Sequence, residues 1–189
     1  MEPIEIFRRW FNEELKLSKA RIPTAVCLST VGIDNFPNAR FVSFKEIFDN
    51  SFIITGPLNS RKGIEIENND KVALTFWWTE TERQIRIQGV ATKISEGLAD
   101  KYFKERNVNS QAVSSICEQG QEIDNVEQLE KRVLEKVLEQ SKITRPQNWS
   151  GFSIKPTRIE FMEFKKSRFH DRKLYEIVKG EWNIKQIQP

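Results

Sequence analysis

The sequence predicts an α+β fold: an antiparallel split β-barrel with helices packed on it. Three observations carry this reading. Strand-like segments stand at both ends of the chain, with helix-like segments between them. Turn residues at 49–50, 79–82 and 179–180 join neighbouring strands over short distances, as hairpins require. In Gln84-Ile85-Arg86-Ile87-Gln88 polar residues alternate strictly with isoleucines, the pattern of a sheet with one face on a core.

Residues 4–17 carry Ile4, Phe7, Trp10, Phe11 and Leu15 at helical spacing and predict an amphipathic helix, with Pro23 closing the region. Residues 24–31 predict a first strand, and turn residues at 32–37 lead into a second over 39–48. In that strand Phe41, Ser43 and Lys45 share one face, and Arg40, Val42 and Phe44 the other. Residues 51–55 complete a meander. The pattern changes at Ser60, where Ser60-Arg61-Lys62 opens a short helix with serine as N-cap and Ile64 and Ile66 as its apolar residues. A second hairpin spans 72–78 and 84–94. Helices follow over 97–106, 110–118 and 126–140, the last with an apolar stripe of Leu129, Val133, Val137 and Leu138. Strand returns over 151–154 and 158–164, and a last hairpin, 173–178 and 181–187, turns on Lys179-Gly180. One domain over 1–189 is expected, with the first helix inside 1–20 and the closing strands inside 150–189.

A chain of 189 residues is long enough to bury a core. Apolar content of 38% is slightly low and charged content of 30% slightly high, which thirteen Phe and five Trp offset with large buried areas. The net charge of +3 is too small a surplus to argue for nucleic acid. Cys27 and Cys117 belong to no CxxC pair, and with one histidine they argue against a zinc site, a disulfide framework or a transition-metal centre. No apolar run approaches the ~18 residues of a membrane helix, and residues 1–5 lack the features of a signal peptide. The expectation is a soluble cytoplasmic protein without membrane or nucleic-acid partners.

The chemistry concentrates in Arg168-Phe169-His170-Asp171-Arg172, which holds the only histidine. Imidazole titrates near neutrality, and arginine presents forked donors that suit carboxylate or phosphate. If the stretch is extended, Arg168, His170 and Arg172 fall on one face; by composition alone it reads as a solvated charge run. Arg61 and Lys62 in the first turn of a helix oppose its dipole, a conflict that a bound phosphate would remove; two cations facing water is the plainer reading. GxGxxG, Walker A and GxSxG motifs are absent, and Asp171 beside His170 cannot form a triad on a strand. What remains is scattered cations and polar residues with no obvious nucleophile, a pattern suited to phosphorylated small molecules with a cofactor that carries the reactivity.

Five pieces occur in order: Arg40-Phe41-Val42-Ser43-Phe44-Lys45; Asn59-Ser60-Arg61-Lys62; Glu82-Arg83-Gln84-Ile85-Arg86; Tyr102-Phe103 with Arg106 and Ser110; and Arg168-Phe169-His170-Asp171-Arg172. With Ile159-Glu160-Phe161 and the terminal Pro189, they resemble the pyridoxine (pyridoxamine) 5′-phosphate oxidase family from about residue 3 to 189. The resemblance implies an FMN-binding split barrel acting as a homodimer with two flavin sites at the subunit interface. It implies oxidation of pyridoxine or pyridoxamine 5′-phosphate to pyridoxal 5′-phosphate, with O2 reduced to H2O2. Carried over by position, Arg40, Phe41, Val42, Ser43, Phe44, Lys45, Thr55, Gly56, Arg61, Lys62, Gln84, Gln119, Gly120, Met162 and Arg172 lie at the flavin. Lys45, Tyr102, Arg106 and Ser110 would hold the substrate phosphate. Arg168 and His170 would sit over the substrate ring as the catalytic pair, with no metal involved.

Three departures from the family pattern bear on FMN affinity and substrate choice. Met162 stands where the family usually has Trp, and Gly120 where it has Ser. The sequence also begins at the first helix, without the arm that in relatives reaches toward the substrate. Two other functions fit less well: a related flavin oxidase for a dihydrophenazine-type aromatic, and a non-catalytic binder of FMN or pyridoxal phosphate.

Overall fold

The computed structural model of the chain describes residues 2–139 and 142–189. Helix α1 (Pro3–Leu17) comes first, then strands β1 (Ala25–Val31), β2 (Pro37–Phe48) and β3 (Ser51–Pro57). A short helix α2 (Arg61–Asn68) precedes β4 (Lys71–Trp78) and β5 (Arg83–Lys93). Helices α3 (Glu96–Lys104), α4 (Val108–Ile116) and α5 (Val126–Leu138) lead to β6 (Trp149–Glu163), β7 (Asp171–Val178) and β8 (Glu181–Ile187). The strands form one antiparallel sheet in the order β3-β2-β1-β4-β5-β6-β7-β8. Residues 149–154 of β6 also pair with β3, which closes six strands into a barrel, while residues 158–163 pair with β7 and carry the sheet beyond it. Closure pairs strand edges that would otherwise be open to other chains.

Alternation along the strands fills the barrel: Val26, Leu28, Leu74, Phe76, Ile85 and Ile87 all point inward and are fully buried. The apolar face of α1 joins this core through Ile4, Ile6 and Phe7. The Phe7 ring lies 4.8 Å from Phe52, 5.0 Å from Phe76 and 5.6 Å from Phe44, edge-on to each. Truncating it to alanine would cost about 3–5 kcal/mol. The buried Glu14 accepts from the Thr81 amide at 3.0 Å and its hydroxyl at 2.8 Å, tying the end of α1 to the β4–β5 turn.

A second core joins α3 and α4 to the barrel wall, with Ile53, Ile94, Ala99, Phe103, Ala112 and Trp149 buried together. Ser95 and Asn107 cap these helices, accepting from the Leu98 and Ser110 amides. Arg145 locks the assembly, donating to Asp100 at 2.7 Å, Glu96 at 2.5 Å and the Trp149 carbonyl at 2.6 Å. No helix among the described residues is long and apolar enough to cross a membrane.

The structure differs from the sequence expectation in five places. The two strands expected at 151–154 and 158–164 are one strand, because Pro156 sits opposite Gly89 at a register shift where no ladder donor is needed. A bulge sets Lys45 and Glu46 against the single residue Ile53, so Phe44 and Ile47 both reach the core and simple alternation fails there. Ser60 stands at the N-cap of α2 without capping it, since its hydroxyl donates to the Pro57 carbonyl at 2.6 Å. Leu138, expected on the stripe of α5, is exposed; Val133 and Val137 make the packing contacts, and Gln140 lies outside the described residues. Finally, Arg168 is not on a strand. Its φ of 66° places it in a left-handed turn, and β7 starts only at Asp171, so Arg168, His170 and Arg172 do not form one strand face.

Candidate functional site

Strand β2, the end of β3, the start of α2 and the α3–α4 region line a groove of about 700 Å³. Twelve of the residues singled out in the sequence face it: Arg40, Phe41, Val42, Ser43, Lys45, Thr55, Gly56, Arg61, Lys62, Arg106, Gln119 and Gly120. A Cβ on Gly56 would stand 2.9 Å from Lys62 Cε, so glycine leaves the lane through which Lys62 crosses. Gly120 has φ 93°, a conformation that glycine adopts without strain and serine does not.

The cations fall into two groups. In the first, Lys62 Nζ donates to Ser60 Oγ at 2.8 Å and Gln119 Oε1 at 2.9 Å. Burial, with Arg40 nearby, pulls the Lys62 pKa down to about 8. Arg40 and Arg61 are both held by the buried Glu65, at 2.8 and 2.9 Å. Thr30 and Asn38 add donors to the same carboxylate at 2.5 and 2.6 Å. Burial alone would raise the Glu65 pKa; the bonds from Thr30, Arg61 and Arg40 outweigh it and hold the group below the usual carboxylate range.

In the second group, burial and then the nearby Arg106 lower the Lys45 pKa, against a weaker pull from Glu105. Burial lowers Arg106 as well. Arg106 lies over the Trp149 ring at 5.0 Å and donates to the Ser110 carbonyl and Ser114 Oγ, each at 3.1 Å. Its Nε is buried and has no hydrogen-bond partner among the described residues. Two half-buried cations that repel each other are suited to an anion, which would relieve the repulsion.

Other residues singled out in the sequence lie elsewhere. Phe44 is in the barrel core, 5.6 Å from Phe76. Tyr102 is buried with its phenol on Glu46, and Ser110 offers its carbonyl rather than its hydroxyl to Arg106. Gln84, Met162 and Arg172 are register partners in a row across β5, β6 and β7. Arg172 donates to Glu160 Oε1 at 2.7 Å and to the Gln188 carbonyl at 3.1 Å. Arg168 and His170 line a different cavity, of about 350 Å³, with Trp77 and Phe164. His170 Nδ1 accepts from the Lys165 amide at 3.0 Å, so in the neutral ring the proton sits on Nε2.

Sequence reasoning passed over Glu65, Glu46, Ser114 and Trp77. Glu65 had a signal, since it stands four residues after Arg61 on a helix. Glu46 had none, because its partner Tyr102 is distant and a bulge sets where it points; Ser114 meets Arg106 across the turn between α3 and α4, which no periodicity marks.

A family model described as pyridoxamine 5′-phosphate oxidase matches residues 15–140, and one for the pyridoxine 5′-phosphate oxidase C-terminal dimerisation region matches residues 149–189. The chain belongs to the pyridoxamine 5′-phosphate oxidase family. It is thereby an oxidoreductase. It is 38% identical to a pyridoxine/pyridoxamine 5′-phosphate oxidase of Nostoc punctiforme, with 100% of this chain and 89% of the relative covered. The same identity holds for the enzyme of that name from Actinobacillus pleuropneumoniae serotype 5b, with 100% and 90% covered. Among solved structures, PhzG from Burkholderia lata 383 in complex with tetrahydrophenazine-1-carboxylic acid superposes with a TM-score of 0.94 at 30% identity, covering 100% of this chain and 93% of that one. A pyridoxamine 5′-phosphate oxidase-related, FMN-binding protein from Nostoc punctiforme shares the fold, with a TM-score of 0.80 at 16% identity and 100% and 98% coverage. The family points to a flavin. The groove fits one: Gly56 leaves room for Lys62 to cross its wall, and its cation groups suit phosphates. The dimerisation region contains Met162, Arg168, His170 and Arg172.

Proposed function

We propose that the chain is an FMN-dependent oxidase, active as a homodimer, that converts pyridoxamine or pyridoxine 5′-phosphate to pyridoxal 5′-phosphate and reduces O2 to H2O2. The observation that carries this reading is one groove with two groups of cations, Arg40, Arg61 and Lys62 in one, Lys45 and Arg106 in the other. Two phosphates, one from the cofactor and one from the substrate, account for both.

FMN, when bound, would supply an acceptor for the substrate's C4′ hydride and a route for its electron pair to O2. Arg61 and Lys62, at the start of α2, hold the flavin phosphate, and Glu65 keeps Arg40 and Arg61 turned toward it. Lys45 and Arg106 hold the substrate phosphate, fixing the pyridine ring at near-attack distance. A second subunit brings Arg168 and His170 over that ring, with Gln84, Met162 and Arg172 alongside the flavin. With Nδ1 occupied, His170 offers Nε2–H as a donor to a ring substituent and is not set up as the base. For pyridoxine phosphate the C4′ alcohol loses a hydride and a proton to give the aldehyde. For pyridoxamine phosphate, water then replaces the nitrogen and ammonia leaves.

The likeness to PhzG supports a second reading, a tricyclic aromatic acid as substrate, to which Trp77 and Phe164 in the Arg168 cavity would offer aromatic faces. The Lys45–Arg106 pair favours the phosphate. FMN-loaded protein given pyridoxamine 5′-phosphate should form pyridoxal 5′-phosphate and H2O2 in equal amounts. Absence of turnover with flavin bound would overturn the first reading, and flavin reduction by a dihydrophenazine carboxylate would establish the second.

A further inference from the structure

Trp77 stands where two parts of the proposed site meet. Alternation along β4 buries Val72, Leu74, Phe76 and Trp78 and leaves Trp77 on the other face, 57% exposed. Its register partner on β5 is Gln84, followed across the sheet by Met162 on β6 and Arg172 on β7. Register partners carry their side chains on one face, so Trp77 heads the row placed alongside the flavin above. Trp77 also lines the cavity of about 350 Å³ with Arg168 and His170, which Gln84, Met162 and Arg172 do not. Phe164 lies edge-on to the indole with ring centres 4.9 Å apart, and His170 lies against Phe164 at the same distance. The indole is braced against the segment that carries both cavity residues, and more than half of Trp77 stays open.

We propose that Trp77 is a specificity-determining residue: its indole packs on the aromatic ring of a ligand held by Arg168 and His170, and so favours planar aromatic phosphates over phosphates without a ring. Two rings in contact bury large apolar areas and gain a further contribution from offset or edge-to-face geometry. The Lys45–Arg106 pair meets a phosphate whatever it is attached to, so selection for the ring needs a surface of this kind. A cavity of about 350 Å³ has room for a small ring system. This rests on the substrate role given to Arg168 and His170 above.

The test titrates FMN-saturated wild type, Trp77→Ala and Trp77→Phe with pyridoxal 5′-phosphate and with glycerol 3-phosphate, which has no ring. Trp77→Ala should bind pyridoxal 5′-phosphate about tenfold more weakly, a loss on the scale of one aromatic contact. Trp77→Phe keeps a ring and should lose less than about threefold. Glycerol 3-phosphate affinity should not move, and FMN affinity of the apoproteins should change less than about threefold. The tenfold loss should persist in a His170→Ala background, because the indole meets the ligand directly. An unchanged pyridoxal 5′-phosphate affinity in Trp77→Ala, or an equal loss for glycerol 3-phosphate, would overturn the proposal. So would a tenfold loss of FMN affinity, which puts Trp77 on the flavin or in the subunit contact. A loss that vanishes in the His170→Ala background makes Trp77 a prop for the histidine and likewise overturns it. If wild type does not bind pyridoxal 5′-phosphate, the vitamin B6 reading fails on its own, and phenazine-1-carboxylate then decides the role of Trp77 with the same variants. Weaker binding of that acid in Trp77→Ala upholds a ring-selecting role; equal affinities, or no binding to wild type, refute it.

Discussion

The Lys62 ammonium donates to the Gln119 side-chain oxygen across 2.9 Å, joining the start of α2 to the segment after α4. Burial keeps this lysine at a pKa of about 8, so it is part-neutral in mildly alkaline solution. A bound phosphate would restore its proton. FMN affinity of the apoprotein should therefore fall above pH 8, by up to about tenfold per pH unit. Riboflavin, without the phosphate, should show no such slope, and Lys62→Met should flatten the FMN curve. For the apoprotein the sign reverses: between pH 8 and the ordinary 10.5 the unfolded chain holds more protons, so this group favours the fold more as pH rises. Fluorescence titration from pH 7 to 9.5 and thermal unfolding over the same range check both.

Glu65 gathers Arg40, Arg61, Thr30 and Asn38 around one buried carboxylate. Glu65→Ala would leave Arg40, only 24% exposed, without its charge partner, at a cost of about 3 kcal/mol. Removing the exposed Asp34 partner of Arg61 should be near neutral. The lowered pKa of Glu65 means that its contribution is present above the ordinary 4.5 and lost as pH falls through the lower folded value. Denaturant melts at pH 7 and in the acid range, with FMN titration of the same variants, read all three effects; equal losses for Glu65→Ala and Asp34→Ala would contradict this account.

Strand alternation and hairpin turns were enough to place the barrel, because each strand buries one face and the period of two is visible residue by residue. Non-local geometry was not legible. Pro156 reads as a strand break until Gly89 is seen opposite it. Arg168 reads as strand until its φ of 66° is known. The groove residues from β2, β3 and α2 lie close in sequence and were found as motifs, whereas Glu46 and Trp77 matter through partners far along the chain. The segment 168–172 reads as one site in sequence yet serves two places in the fold: Arg172 is bound to Glu160, while Arg168 and His170 stand beside Trp77.

Met162 is half-buried between Gln84 and Arg172. A tryptophan there would add an aromatic face to the flavin, worth about 1 kcal/mol. Met162→Trp should tighten FMN binding about fivefold and leave the unfolding midpoint in place. Unchanged affinity would show that this row does not meet the flavin.

Arg168 occupies a left-handed turn that any side chain strains by about 1 kcal/mol or more, and glycine does not. Arg168→Gly therefore removes the guanidinium without adding backbone strain, where Arg168→Ala leaves the strain in place. Both should reduce kcat/KM for pyridoxamine 5′-phosphate by about a hundredfold or more while changing FMN affinity less than about threefold. Loss of flavin with full activity in the remaining holoenzyme would remove Arg168 from the substrate.

Within one chain, Lys45 and Arg106 line one cavity and Arg168 and His170 another. If each active site joins the first set of one subunit to the second set of its partner, defects in the two sets must complement. Arg106→Ala and Arg168→Ala homodimers should each be nearly inactive. A mixed dimer contains one site with both defects and one with neither, because the Arg168→Ala subunit supplies an intact Arg106 and its partner an intact Arg168. Co-expressed under two tags and purified as the mixed species, it should recover about half of wild-type turnover per dimer. Sites contained within single chains would give no recovery, since every site would then carry one of the two defects. The same experiment separates a shared site from mere dimer stabilisation, because two Arg106→Ala variants mixed under different tags should recover nothing.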